Sequence, residues 1–547
     1  MHRAVLLLGL LAAGATTVAA QTVAPDPGTE GWRADLALLA LELPRIHPAP
    51  FTKVSQDEWD AAVFELEGRL PGLTGAQATV AFQQLVALIQ DGHTSLNPLF
   101  EPTLRRYVYP VEFYRFEDGV FIRRAASEVA ELVGARVLRY GAVAVDSALA
   151  AVAPTVSADN RWWIRGQAAL RLSLVSVALG LGLVDDPDAL TLVIEHRGVI
   201  DTVTMKPVTL NVTGHGAPFP PASWVDMAPA DGPLWLAHPG ELWWTEWLPE
   251  SNTLYVMERA IINTMGSETH AAFWLRVFAT VDSLPVERLI LDLRTNGGGN
   301  GFLARHIVKG MVQRPQLDRP GGLYVITGRS TFSAAVNLMN ELEYYTNATF
   351  VGEPPGSSPR SFGDHDPVQL PNSGLTVLVS TVWHQGHNPF DGRRFVAPRL
   401  YAPITSSEYA QGVDPVLAAI QDDDASANLI QRLETAAIAH DSVTVRSIMS
   451  EALANPLYRF RGFEPDVNLL GYRFLRQGNT DAALMVFRQN AADYPHSANV
   501  FDSLADGLVQ AGMVEEAKDS YRKALAIDPD YPPSVSGLAR LESAGGH

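Results

Sequence analysis

The 547-residue chain contains no cysteine. That excludes disulfides, a cysteine nucleophile, thiolate metal sites and a lipid-modified N-terminal cysteine. Positive charge is also scarce. Only 41 basic residues face 60 acidic ones, a net charge of −19, which argues against nucleic-acid and anionic-membrane binding. Beyond the first residues there is no long uninterrupted apolar run, so no membrane span is expected in the mature chain. Lysine is nearly missing from one stretch: between Leu254 and Tyr409 only Lys309 occurs.

What is present is ordinary globular material, 47% hydrophobic and 18% charged. His2 and Arg3 precede the apolar run Ala4 to Ala13, and small residues Val18-Ala19-Ala20 precede Gln21. This reads as a secretory signal peptide over 1–20, cleaved after Ala20, and places the protein in a bacterial periplasm or outside the cell.

The rest divides by pattern. Helix-like periodicity with turn signals such as Pro48-Ala49-Pro50 fills an N-terminal helical domain, 21–105, in which an apolar helix from Thr79 to Ile89 delivers His93. Short strands around Val108 to Phe113, Val120 to Ile122 and Gly134 to Gly141 follow in 106–213. A helix from Val145 to Ala153 and a hairpin over Leu190 to Val208 complete that β-rich module, whose order resembles a PDZ domain. Its segment from Asp159 to Val184 has no counterpart in that order. Residues 214–252 are rich in proline and tryptophan, which suggests a connection that packs on something. From Leu254, strands at Leu254 to Met257, Arg288 to Leu293, Leu323 to Thr327 and Thr349 to Gly352 alternate with helices, an α/β layer fold with mostly parallel pairing, 214–420. In 421–547, Gly478, Ala483, Phe487 and Pro495 recur 34 positions on as Gly512, Ala517, Tyr521 and Pro529, the tetratricopeptide period. Such helical repeats offer a concave surface to a protein partner.

Two segments of the α/β region carry chemistry. Leu289 to Asp292 runs into Arg294-Thr295-Asn296-Gly297-Gly298-Gly299, and Leu323 to Thr327 runs into Gly328-Arg329-Ser330-Thr331-Phe332-Ser333-Ala334-Ala335. Each half is a buried strand entering a tight turn that opens a helix. Glycines let amides approach a ligand, and a helix start favours negative charge. Ser333 is the candidate nucleophile, with the Ala334 amide placed where an oxyanion would sit and the Gly297-Gly298-Gly299 run able to turn its N–H groups inward. The plainer alternatives are a helix-capping serine and an empty tight turn, with Ser330 and Thr331 as rivals. No Gly-Lys-Ser/Thr follows the glycines, which counts against a phosphate loop.

A serine nucleophile needs a base. Lys309 falls within a helix, so histidine is preferred: His93 in Asp91-Gly92-His93-Thr94-Ser95, with His384 and His387 as rivals. Asp391, Glu353 and Asp91 are candidates to orient the imidazole. A metal at His384, His387 and Asp391 is conceivable, but no His-Glu-x-x-His pattern supports it, and no metal or other cofactor is expected.

Through Asp91-Gly92-His93-Thr94, Gly134 to Val137, Asp292 to Gly299, Ser333-Ala334-Ala335 and Val351-Gly352-Glu353-Pro354, the chain resembles the tail-specific and C-terminal-processing serine peptidases and their tricorn-like relatives over roughly residues 45–416. The resemblance implies a ClpP/crotonase-like layered α/β core with Ser333 as nucleophile. It also implies Gly297 or Gly298 beside Ala334 in the oxyanion hole. Processing peptidases of this family use a lysine shortly after Val-Gly-Glu-Pro. Here that stretch reads Pro355-Gly356-Ser357-Ser358-Pro359, so the resemblance is to the Ser–His branch, with His93 as base; its acidic partner has no obvious counterpart, and Asp391 is taken as the third member. The function implied is an exported serine endopeptidase acting on peptides or unfolded protein. A catalytically silent peptide-binding scaffold and an esterase using the same site are the alternatives.

Overall fold

The computed structural model describes residues 23–210 and 219–544. The signal-peptide segment 1–20 lies outside the described residues. Its centre is a six-stranded sheet of β1 (Trp243–Leu248), β2 (Thr253–Glu258), β3 (Arg288–Asp292), β4 (Leu323–Thr327), β5 (Thr349–Gly352) and β6 (Leu400–Tyr401). They lie side by side in that order, antiparallel between β1 and β2 and parallel thereafter. Successive residues alternate between two cores. Leu289, Leu291, Leu323 and Val325 pack with helices His270–Ser283, Arg305–Val312 and Ala334–Tyr345. Ile290, Tyr324, Ile326 and Tyr255 pack with Phe116 of the β-rich module and with helix Pro415–Asp422. A sheet covered on both faces has no wet side, which is why these strands read as continuous apolar runs. The tryptophan-rich connection contributes an edge strand here, with Trp243 and Trp244 buried.

The N-terminal helices Gly28–Ile46, Gln56–Arg69 and Gly75–Ala87 do not form a self-contained unit. Their core is closed by Val368, Leu370, Leu375, Val377 and Val379 from a long hairpin, Ser361–Gln369 with Thr376–His384, more than 200 positions away. Buried Asp35 accepts hydrogen bonds from the Asn372 and Ser373 amides at the hairpin turn. Ser95 and Leu378 exchange backbone hydrogen bonds of 2.8 and 3.0 Å. The segment carrying His93 is thus joined as an extra strand to the α/β region. Helix Gly75–Ala87 starts at a Thr74/Gln77 capping box and is buried along most of its length.

In the β-rich module the strands Val111–Phe116, Gly119–Ala125, Arg136–Tyr140, Leu190–His196 and Val199–Met205 form one antiparallel sheet. The segment that had no place in the strand order folds as helices Arg161–Arg171 and Val175–Gly180. At the C-terminal end, helices Glu464–Arg476, Thr480–Asp493, Ala498–Gln510 and Val514–Ile527 pack consecutively. Phe487 fills the groove left by Gly471 and Gly507, where a Cβ would come within 2.3 and 3.0 Å of its ring.

Candidate active site

Ser333 sits at the end of the β4 turn, just before helix Ala334–Tyr345, with φ +53° and ψ −127°. A non-glycine residue held there costs on the order of 1–3 kcal/mol, so the surroundings must impose it. They do so by joining the serine turn to the glycine turn. Thr331 Oγ1 donates to the Leu293 carbonyl at 2.7 Å and accepts from the Gly328 amide at 2.9 Å. The Phe332 amide donates to the Asn296 carbonyl at 3.0 Å. Ser333 does not cap the helix with its side chain. Its Oγ lies 2.9 Å from His93 Nε2 instead.

The glycine turn is held by Asn296, which sequence reasoning passed over. Its Nδ2 donates to the Glu258 carbonyl at 2.9 Å, and its Oδ1 accepts from the Gly298 amide at 2.8 Å. Gly298 and Gly299 adopt φ of +109° and +134°. A Cβ on Gly298 would lie 2.6 Å from Ser333 Cβ, and one on Gly299 would lie 2.1 Å from the Ile261 carbonyl oxygen. These positions bear on the expected oxyanion donors. The Gly298 amide is committed to Asn296, and neither Gly297 nor Gly298 lines the cleft beside the serine. Gly299 and Ala334 do line it, and neither amide donates to a protein acceptor among the described residues. The cleft measures about 560 Å³ and is also bordered by the polar Asn337, Glu341, Asp364 and His384 and the apolar Phe302 and Leu338.

His93 reaches this point because its turn is fixed by two buried carboxylates. Asp91 accepts from the His93 amide at 3.0 Å, and its other oxygen accepts from Ser380 Oγ at 2.5 Å and His47 Nε2 at 3.2 Å. Burial alone would raise the Asp91 carboxyl, but hydrogen bonds from His47, Ser380 and Thr94 together hold it below the usual carboxylate range. Asp159 accepts from the Gly92 amide at 3.3 Å and from Ser357 Oγ at 2.6 Å. Its carboxyl is pushed up by burial and by the Asp91 charge, against the pull of Lys53. The imidazole of His93 is shifted down by burial, which outweighs the attraction of Asp91 and Asp159 for a proton. A neutral ring, able to accept a proton, is the consequence.

The other candidates are placed elsewhere. Asp391, expected as the third member, does not meet the imidazole. Both its oxygens bind Arg393, whose guanidinium also grips Glu343. An arginine two residues on captured that carboxylate locally. Glu353 is in a buried bidentate pair with Arg329. His384 lies near Asp364 at 3.7 Å, and His387 bonds Glu341 at 3.0 Å while stacking on Tyr344. His384, His387 and Asp391 therefore go to three different partners. Lys309 is exposed on helix Arg305–Val312.

The roles of His47, Ser380 and Phe332 were missed by motif reading, since each acts through contacts between distant segments. Ser380 had a signal: the β-branched run Thr376-Val377-Leu378-Val379 reads as a strand.

No protein-family model matches the sequence, and no curated protein matches it. Among solved structures, mature CPAF complexed with lactacystin superimposes with a TM-score of 0.54 at 14% identity, covering 73% of this chain and 98% of that one. A serine-to-alanine mutant of CPAF gives 0.53 at 14% identity, over 72% and 96%. Mature CPAF without lactacystin gives 0.52 with the same identity and coverage. At that identity the likeness is one of fold: the chain shares the layered α/β fold of these structures.

Proposed function

We propose that the protein is an exported serine endopeptidase using a Ser333–His93 pair. The observation that carries this reading is the 2.9 Å approach of His93 Nε2 to Ser333 Oγ, across 240 positions of sequence. Hydrogen-bond contact between alcohol and imidazole is what general-base activation of a nucleophile needs. The strained serine backbone at a strand-to-helix turn supports it further, as such turns present a nucleophile clear of its own helix.

In this reading Ser333 Oγ attacks the peptide carbonyl carbon and its proton passes to His93 Nε2. The oxyanion falls to the Ala334 and Gly299 amides. His93 then protonates the leaving amine, and water, deprotonated by the same nitrogen, hydrolyses the acyl-enzyme. The β-rich module at 106–213 serves as a PDZ-like peptide-binding domain. The 421–547 helices serve as tetratricopeptide repeats that receive a protein partner. Export rests on the signal-peptide pattern at residues 1–20. Among the described residues no helix is long and apolar enough to cross a membrane.

The test is labelling of the purified protein by a serine-directed phosphonate, with hydrolysis of unfolded protein and short peptides measured in parallel. Labelling and cleavage that vanish together in Ser333→Ala and His93→Ala are the expected result. A wild-type protein that neither labels nor cleaves would sink the peptidase reading in favour of a binding scaffold.

A further inference from the structure

A histidine base is ordinarily held in plane by an acid on its second nitrogen. His93 Nδ1 is buried and has no hydrogen-bond partner among the described residues. Asp91 and Asp159, the nearest acids, bind the His93 and Gly92 backbone amides. They fix where the turn is, while rotation of the ring about its own axis stays free of them. The flat faces are what remain. The imidazole stacks on Phe332 at 4.6 Å between centroids and 29° between planes. Phe332 in turn stacks on Trp163 at 4.3 Å and 22°.

We propose that Trp163 is a positioning residue: by backing Phe332 it holds the His93 imidazole against Ser333, supplying through stacking the restraint that no acid supplies at Nδ1. Phe332 immediately precedes Ser333, so the ring that sets the base also belongs to the turn that sets the nucleophile. Two glycines make room for the stack. A Cβ on Gly92 would come 2.7 Å from Phe332 Cζ, and one on Gly356 would come 2.7 Å from Trp163 Cε3. Trp163 is itself anchored. Asn160 caps its helix and donates through Nδ2 to the Pro355 and Arg394 carbonyls, both at 3.1 Å. One turn further on, Gly166 lies against Arg329 of the serine turn, where a Cβ would meet the arginine side chain at 3.2 Å. The helix Arg161–Arg171, unassigned by its sequence, thereby acts as a brace on the site. Stacking of this kind narrows the ring's range of orientations without bonding to it.

This inference rests on the Ser–His reading for its kinetic arm only. The experiment compares the wild type with Trp163→Phe and Trp163→Leu, measuring kcat, KM and the NMR titration midpoint of His93. The groups facing that imidazole are Asp91 and Asp159, which favour its charged form, and His365 and His384, which oppose it. None of them is altered by the substitutions. In Trp163→Leu, kcat is expected to fall on the order of 10- to 100-fold with KM little changed, as a misaligned base costs rate rather than binding. Water reaching the loosened ring should move the His93 midpoint up toward its ordinary value. Trp163→Phe should recover most of both. Unchanged kcat and midpoint in Trp163→Leu overturn the proposal, and so does a phenylalanine variant as impaired as the leucine one. If Trp163→Leu does not fold, Trp163→Met, which keeps more of the volume but not the flat face, must produce the same midpoint shift. A wild type inert to phosphonate and peptides would remove the Ser–His reading, while the His93 midpoints would still decide whether the stack governs the ring.

Discussion

The two halves of the candidate site are built by different means. The serine half is held largely by main chain: a positive φ at Ser333, glycines at φ above +100°, and backbone groups bonded between neighbouring turns or to the short side chains of Asn296 and Thr331 within those turns. The histidine half is held by side chains from five separate segments, through His47, Asp91, Ser380 and the stacked Phe332 and Trp163. The difference has a geometric reason. The two turns follow adjacent parallel strands, β3 and β4, whose register already places their ends together. His93 arrives from the other end of the chain and inherits no register, so it needs lateral fixation. The serine half should therefore be intolerant of one added methyl group, and the histidine half of one lost hydrogen bond.

The largest effect expected is that of Ser333→Ala, which should lower kcat/KM by at least about 10³-fold and abolish phosphonate labelling while leaving the folded state intact. Next comes Gly298→Ala. Its Cβ would sit 2.6 Å from Ser333 Cβ at a backbone φ of +109°, so the two turns must part. A loss of about 10²-fold in kcat is expected, of the size seen when reacting groups move by about 1 Å. If Gly298→Ala is fully active in a peptidase assay, the main-chain account of the serine half is wrong.

Asp91→Asn tests the other half. The amide keeps the shape of the carboxylate but replaces one acceptor with a donor facing His47 and Ser380. It should destabilise the fold by about 2 kcal/mol at neutral pH, measured by denaturant unfolding. The sign of its pH dependence follows from the depressed folded-state carboxyl. Stability from such a group is present above its unfolded value of about 3.9 and is lost as pH falls through the lower folded value. The gap between wild type and variant should therefore hold at neutral pH and shrink under strong acid. Burial of His93 leads to a related expectation. Because its folded value lies below the ordinary one of about 6.5, the acid limb of the wild-type kcat/KM profile should fall below pH 6.5. An acid limb above that pH would mean that another group is the base.

The same asymmetry explains how much could be read from the sequence. The four strands β2 to β5 and the turns after β3 and β4 were legible because apolar runs followed by glycines or small residues are local signals, and parallel α/β order then brings their ends together. His93 was legible only by elimination, through the lack of lysine. What holds it was not legible, since the pairs His47–Asp91, Asp91–Ser380 and Trp163–Phe332 join segments separated by 44, 289 and 169 positions. The hairpin Ser361–His384 escaped notice because Asp364, His365, Asp366 and Pro367 interrupt its first strand with polar and cyclic residues. Its second strand carried a clear β-branched signal that lacked a partner. Among the glycines, Asn296 takes the Gly298 amide, and a side chain turning back two residues cannot be seen in a glycine count.

The smallest effect expected is that of Asp391→Asn, and its smallness discriminates sharply. The sequence offers Asp391 as the third member of a Ser–His site, one of three acidic candidates, and in that role its loss should cost several orders of magnitude. Geometry assigns it to Arg393, at 2.7 to 3.1 Å, in a surface cluster completed by Glu343. The cluster is partly solvated, and exposed ion pairs contribute about 0–1 kcal/mol. Asp391→Asn should thus leave kcat within about twofold of wild type and shift stability by less than about 1 kcal/mol. A large loss of kcat with KM preserved would mean that the loop 385–395 rearranges to bring this carboxylate to Nδ1 during turnover. The histidine half would then be completed by substrate binding, and the contrast between a main-chain-held nucleophile and a side-chain-held base would describe only the resting enzyme.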